Sequence, residues 1–70
     1  MDYKHLTDEQ KSQITLSTIQ NIETDHFANT LAKARAEAVE DVAQIKYFTK
    51  VLLGLEKQHA ELTKVADAAA

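Results

Sequence analysis

The chain has 70 residues, with 8 basic and 11 acidic side chains and a formal net charge of −3. This length allows one small domain, and the absence of cysteine excludes disulfide scaffolds and cysteine-based zinc or iron–sulfur sites. One glycine and no proline argue against a compact all-β or loop-rich secreted domain. The negative charge gives no electrostatic basis for binding nucleic acid or an anionic membrane.

Residues 1–6 form a predicted lead-in to the first helix. Met1 to His5 contain no apolar segment of the kind that a secretory signal requires. No apolar run approaches the roughly 18 residues that a membrane span needs. The sequence therefore predicts a cytoplasmic protein.

The first predicted helix covers residues 7 to about 38. Thr7 and Gln10 have the spacing of a capping box, in which each side chain bonds the backbone N–H of the other residue. Asp8 and Glu9 place negative charge at the positive end of the helix dipole. A spacing of about 100° per residue gathers the apolar residues into a stripe flanked by Ile22. That stripe consists of Leu16, Ile19, Phe27, Leu31, Ala34 and Ala38.

The second predicted helix runs from about 41 to 66, followed by a tail at 67–70 that is expected to fray. Asp41 can accept from the next turn as an N-cap, with Gln44 as its reciprocal partner. The apolar arc of this helix is wide, and such a helix needs cover on more than one side. Its stripe consists of Ile45, Phe48, Val51, Leu52, Leu55, Leu62 and Ala66.

Two connections between these helices are compatible with the sequence. Residues 38–41 contain no glycine or proline, so one uninterrupted helix in a coiled coil is an alternative to a hairpin. The hairpin is favoured because Glu37, Asp41 and Gln44 interrupt the stripe, and because about 60 residues is long for a globular helix. The predicted fold is all-α: an antiparallel two-helix hairpin that self-associates into a helical bundle. Self-association is expected because a single hairpin leaves much of each apolar stripe exposed to water. The expected interface residues are Leu16, Ile19, Phe27, Leu31, Ile45, Phe48, Val51, Leu52, Leu55 and Leu62.

Polar residues on these apolar faces raise the question of a site. Glu23 and His26 form a Glu-x-x-His pair in the first helix, and Glu56 and His59 form another in the second. Residues three apart are neighbours on a helix, and a turn at 39–40 would set Glu23 level with Glu56. Burying such groups unpaired is costly, and a divalent metal compensates for it. Interhelical hydrogen bonds that fix the register are the alternative explanation.

At these residues the chain resembles the ferritin-like di-metal carboxylate proteins, in particular the two-helix encapsulated ferritins. The family pattern is a Glu on one helix, here Glu23, and Glu-x-x-His on the next, here Glu56 and His59. The resemblance implies a dimer of hairpins with iron or another divalent metal at its interface, and oxidation of Fe(II) by dioxygen. His26 has no place in the pattern and is expected to orient a carboxylate.

The segments 16–37 and 55–57 also resemble small helical-hairpin proteins encoded by actinobacterial phages, a likeness that implies no activity. No residue is predicted to be catalytic: Ser12 and Ser17 lie mid-helix without an oxyanion loop. The main functional prediction is a non-enzymatic interaction or structural protein without a cofactor, which assembles as a homodimer or tetramer or with a helical protein partner. The metal-binding protein with Glu23, Glu56, His59 and also His26 remains the alternative.

Overall fold

The fold is a hairpin of two long helices. The computed structural model describes residues 5–69, in which α1 spans Asp8–Ala38, α2 spans Val42–Ala69, and no strand occurs. The helices pack side by side in a body of 50 × 20 × 14 Å. A helix with its side chains is about 10–12 Å across, so the structure is one layer thick. The predicted hairpin is confirmed, and the single continuous helix is excluded.

The start of α1 follows the predicted capping box. Thr7 donates its backbone N–H to the Gln10 side chain over 2.9 Å, and the Gln10 N–H donates to the Thr7 hydroxyl over 3.1 Å. Asp8 and Glu9 occupy the first turn, where their charge complements the helix dipole. Residues 1–4 of the predicted lead-in lie outside the described residues.

The turn between the helices closes with two backbone hydrogen bonds. The Glu40 N–H donates to the Glu37 carbonyl over 3.1 Å, and the Asp41 N–H donates to the Ala36 carbonyl over 3.0 Å. This is a Schellman arrangement, and it holds Glu40 at a φ of 56°. Asp41 also caps α2, because its carboxylate accepts from the Gln44 N–H over 3.2 Å. The prediction of a reciprocal hydrogen bond from the Asp41 N–H to the Gln44 side chain is wrong, since the Asp41 N–H donates to the Ala36 carbonyl at the end of α1.

The end of α2 lies beyond its predicted position. The helix continues to Ala69 instead of ending near residue 66. Residues 67–69 are Asp-Ala-Ala, and alanine has the highest helix propensity, so no local signal stops the helix there. Ala70, the last residue of the predicted tail, lies outside the described residues.

The contact between the helices follows a coiled-coil spacing. Its buried apolar residues are Ile22, Ala36 and Leu52. Most of the less exposed positions form a series with alternating steps of four and three residues, as in a heptad seam. On α1 the series comprises residues 15, 19, 22, 26, 29, 33 and 36; in the second half of the chain it comprises the N-cap residue 41 and residues 45, 48, 52, 55, 59, 62 and 66 of α2.

The predicted apolar stripe of α1 coincides only in part with the seam that contacts α2. Leu16, Phe27 and Leu31 are 57%, 64% and 52% exposed, and Ala34 and Ala38 are exposed as well. Seam positions 15, 26, 29 and 33 carry polar residues, so clustering the apolar residues of α1 selects a different face. That face has no cover in the described chain.

Glu40 provides a test of the turn. The left-handed conformation costs a residue with a Cβ about 1–2 kcal/mol, and glycine avoids this cost. We expect Glu40→Gly to stabilise the hairpin by about 0.5–1 kcal/mol after its larger backbone entropy is subtracted, measured by thermal or urea unfolding. Val39→Gly is the matched control, because Val39 has a φ of −105°, which lies outside the left-handed region. This substitution should therefore destabilise the hairpin. Equal destabilisation by both changes would contradict the strain at Glu40.

Candidate functional site

The four candidate polar residues meet in one groove between the helices. The groove has a volume of about 290 Å³. Ile22 and Leu55 form its apolar part. The remaining lining residues are Glu23, His26, Glu56 and His59. The structure thus brings together all the side chains that the Glu-x-x-His spacing singled out.

Each histidine bonds the glutamate of the opposite helix. His59 Nε2 lies 3.1 Å from Glu23 Oε2, and His26 Nε2 lies 3.4 Å from Glu56 Oε2. An ionised carboxylate only accepts hydrogen bonds, so each imidazole donates. Glu23 is therefore level with His59 and not with Glu56, although both glutamates line the same groove. Residue 41 is the midpoint in sequence of both observed pairs. The helices therefore fold back one to two residues later than the predicted turn at 39–40.

The crossed arrangement follows from repeating one motif on antiparallel helices. Within each helix the glutamate and the histidine are three residues apart and share a face. Reversing one helix against the other places each glutamate level with the histidine of its neighbour. The result is a local twofold pattern within a single chain, in which two carboxylates face two imidazoles.

The four groups lie at the rim of the groove and not in a closed interior. The glutamate side chains are 58% and 59% exposed, and the histidine side chains are 40% and 39% exposed. Water therefore solvates the carboxylates and screens both pairs, so each pair stabilises the fold weakly. The cost of desolvating these four side chains is therefore small in the hairpin, and no metal is needed to compensate for it.

The four side chains carry ligand atoms that suit a metal ion, but their arrangement in one hairpin does not form a metal site. Carboxylate oxygen and imidazole nitrogen are suitable ligands for iron, manganese and zinc. Within residues 5–69, however, no three His, Asp or Glu side chains come together closely enough to hold an ion. One hairpin thus offers two separate two-residue pairs, and a metal centre would need ligands from another chain.

The expected interface residues fall into two groups. Leu52 is buried, whereas Ile19, Ile45, Phe48, Val51, Leu55 and Leu62 are half-buried. Leu16, Phe27 and Leu31 are exposed, and Leu16 lines a groove together with Val65 and Ala66 of α2. Ala36, which is 1% exposed, was not among the predicted interface residues, although the heptad spacing identifies it. Three large exposed residues of α2, Tyr47, Leu53 and Val65, belong to its predicted wide apolar arc, whereas Ile14, Val39 and Val42 had not been singled out.

Comparisons with known proteins identify no relative. No protein-family model matches the chain, and no curated protein or solved structure is significantly similar to it. The resemblances to ferritin-like proteins and to phage hairpins therefore stay predictions. None of the helices in the described part of the chain has the length and apolar character that crossing a bilayer requires.

A double-mutant cycle measures the strength of the crossed pairs. We expect Glu23→Ala, His59→Ala and the double variant to give a coupling of at most about 1 kcal/mol in unfolding free energy, because the pair is largely exposed. Lys64 and Glu61, which pair on the surface over 3.2 Å, provide the control. We expect their coupling energy to be of the same size. A coupling of several kcal/mol would contradict this placement at a solvated rim.

Proposed function

We propose that the chain is a non-enzymatic helical interaction module, which works by packing its apolar helix faces against another helical chain. The supporting observation is the contrast between three buried apolar residues and nine large exposed ones within the described chain. The partner is a further copy or a helical protein, and the location that the composition favours is the cytoplasm.

The small core supports this function. Fully burying a large aliphatic side chain contributes about 1.5–3 kcal/mol, and two of the three buried residues, Ile22 and Leu52, are of this kind. Ordering the backbone costs about 1–2 kcal/mol per residue. Domains of this size rarely obtain more than about 3–5 kcal/mol from a single core. Covering the exposed apolar faces is the available source of further stabilisation.

Thermal unfolding at several protein concentrations tests the module. Binding to the folded state alone stabilises that state by mass action. For a self-associating chain, we expect the melting temperature followed by circular dichroism to rise over about a hundred-fold range of concentration. A chelator should leave this rise unchanged. A module that depends on a different protein would show low, weakly cooperative helicity at every concentration. A cooperative and concentration-independent transition of a stable monomer would contradict the proposal.

A second candidate function is metal binding in a ferritin-like dimer, with Glu23, Glu56 and His59 as ligands and His26 beside them. The observation that favours it is the shared groove, where the four side chains line one space. Two hairpins placed groove to groove would supply four carboxylates and four imidazoles. Such a centre would bind iron or another divalent ion, and with iron it would support oxidation of Fe(II) by dioxygen, as the resemblance implies.

Metal titration separates the two functions. Under the metal-binding proposal, Fe(II), Mn(II) or Zn(II) raises the melting temperature and binds with about one to two ions per dimer, as a di-metal centre requires. Glu23→Ala should abolish this binding. Glu37→Ala, a change at an exposed acid of α1 outside the groove, should preserve it. Calorimetry that finds no saturable binding to the wild-type chain would end this candidate and leave the interaction module standing.

A further inference from the structure

α2 carries a second seam beside the one that contacts α1. Positions 44, 48, 51, 55, 58, 62 and 65 also alternate steps of four and three residues. We propose that this second seam is the docking surface for a second copy of the chain, an inference that rests on the interaction module proposed above. The residues of the second seam are Gln44, Phe48, Val51, Leu55, Gln58, Leu62 and Val65.

The burial pattern shows that the second seam is only partly covered, since four of its seven residues are half-buried and three are exposed. Phe48, Leu55 and Leu62 belong to both seams and remain half-buried under α1. Val65 is 55% exposed, and Tyr47, at the outer edge, is 61% exposed. The Tyr47 and Phe48 rings contact each other edge to face at 5.1 Å, which makes one wide aromatic surface.

Charge supports a second copy as the occupant. None of the seven second-seam positions carries a charged side chain, although α2 contains charged residues at 46, 50, 56, 57, 61, 64 and 67. Two copies of one surface present identical charges to each other, so a neutral seam avoids repulsion in a twofold contact. The exposed α1 face around Leu16 and Phe27 is less suitable, because Glu23 lies between them.

The accessible surface area of the chain is larger than that of a compact monomer of the same mass, which is consistent with a second layer of helices packing on it. The chain exposes 5722 Å², whereas a compact monomer of 7.8 kDa exposes about 4400 Å². The excess of about 1300 Å² matches what one partner buries in an obligate dimer, about 1000 Å² or more. Two hairpins in contact along α2 would form the two-layered body from which helical domains are built.

Variants on opposite sides of α2 test the second seam. We expect sedimentation equilibrium to show a dimer for the wild type. Val65→Glu should raise the dissociation constant about tenfold or more, because it desolvates a charge in the contact. Leu53→Glu is the matched control, since Leu53 is 54% exposed on the same helix but outside the seam. It should leave the dimer within about threefold of the wild type. Circular dichroism checks that each hairpin is folded.

Cross-linking gives a readout that does not depend on weakening the contact. The chain has no cysteine, so Gln58→Cys and Lys57→Cys each introduce a single thiol. Both positions are exposed, but only Gln58 belongs to the second seam. A short bismaleimide should link Gln58→Cys into dimers much more efficiently than Lys57→Cys.

The outcomes distinguish this inference from the function on which it rests. Equal effects of Val65→Glu and Leu53→Glu, or equal cross-linking at both thiols, would overturn the second seam while leaving the interaction module intact. A poorly helical monomer would also overturn the second-copy contact and favour a different helical partner. A fully helical monomer at every concentration would contradict both proposals.

Discussion

The structure is governed by the small apolar area that two helices can hide from water when they form a single layer. Each helix contacts only one neighbour, so a seam of alternating four- and three-residue steps holds the hairpin together. Three apolar residues are buried in this seam. The rest of the apolar surface remains in water, where it opposes solubility and favours association. This exposed apolar surface is the observation that supports the proposed interaction module.

The polar part of the interhelical contact has a different role. The crossed pairs Glu23–His59 and His26–Glu56 lie at the rim of a groove, where water supports the charges. They contribute little to stability, but the crossed hydrogen bonds are satisfied only when the two helices are in one register. A shift of one helical turn would separate both pairs. Such a register device is an explanation of the duplicated Glu-x-x-His motif that needs no metal.

Local signals in the sequence predicted the helices well. The capping box at Thr7 and Gln10 located the start of α1, and the Asp41 cap located the start of α2. The turn itself was harder to predict, because its left-handed residue is Glu40 and not a glycine. The candidate site was predicted as a group, since i and i+3 spacing is a local property. Its pairing was not, because cross-helix register depends on the turn. The seam face of α1 could not be found from its apolar residues, because Thr15, His26 and Asn29 occupy seam positions.

We infer from the exposed apolar faces that the hairpin needs cover from another chain to be a stable folded body. Sedimentation equilibrium combined with far-ultraviolet circular dichroism on the same diluted samples tests it most directly. We expect helicity to fall as the sedimenting mass approaches that of one chain, 7.8 kDa. Full helicity retained in a sample that sediments entirely as single chains would contradict it.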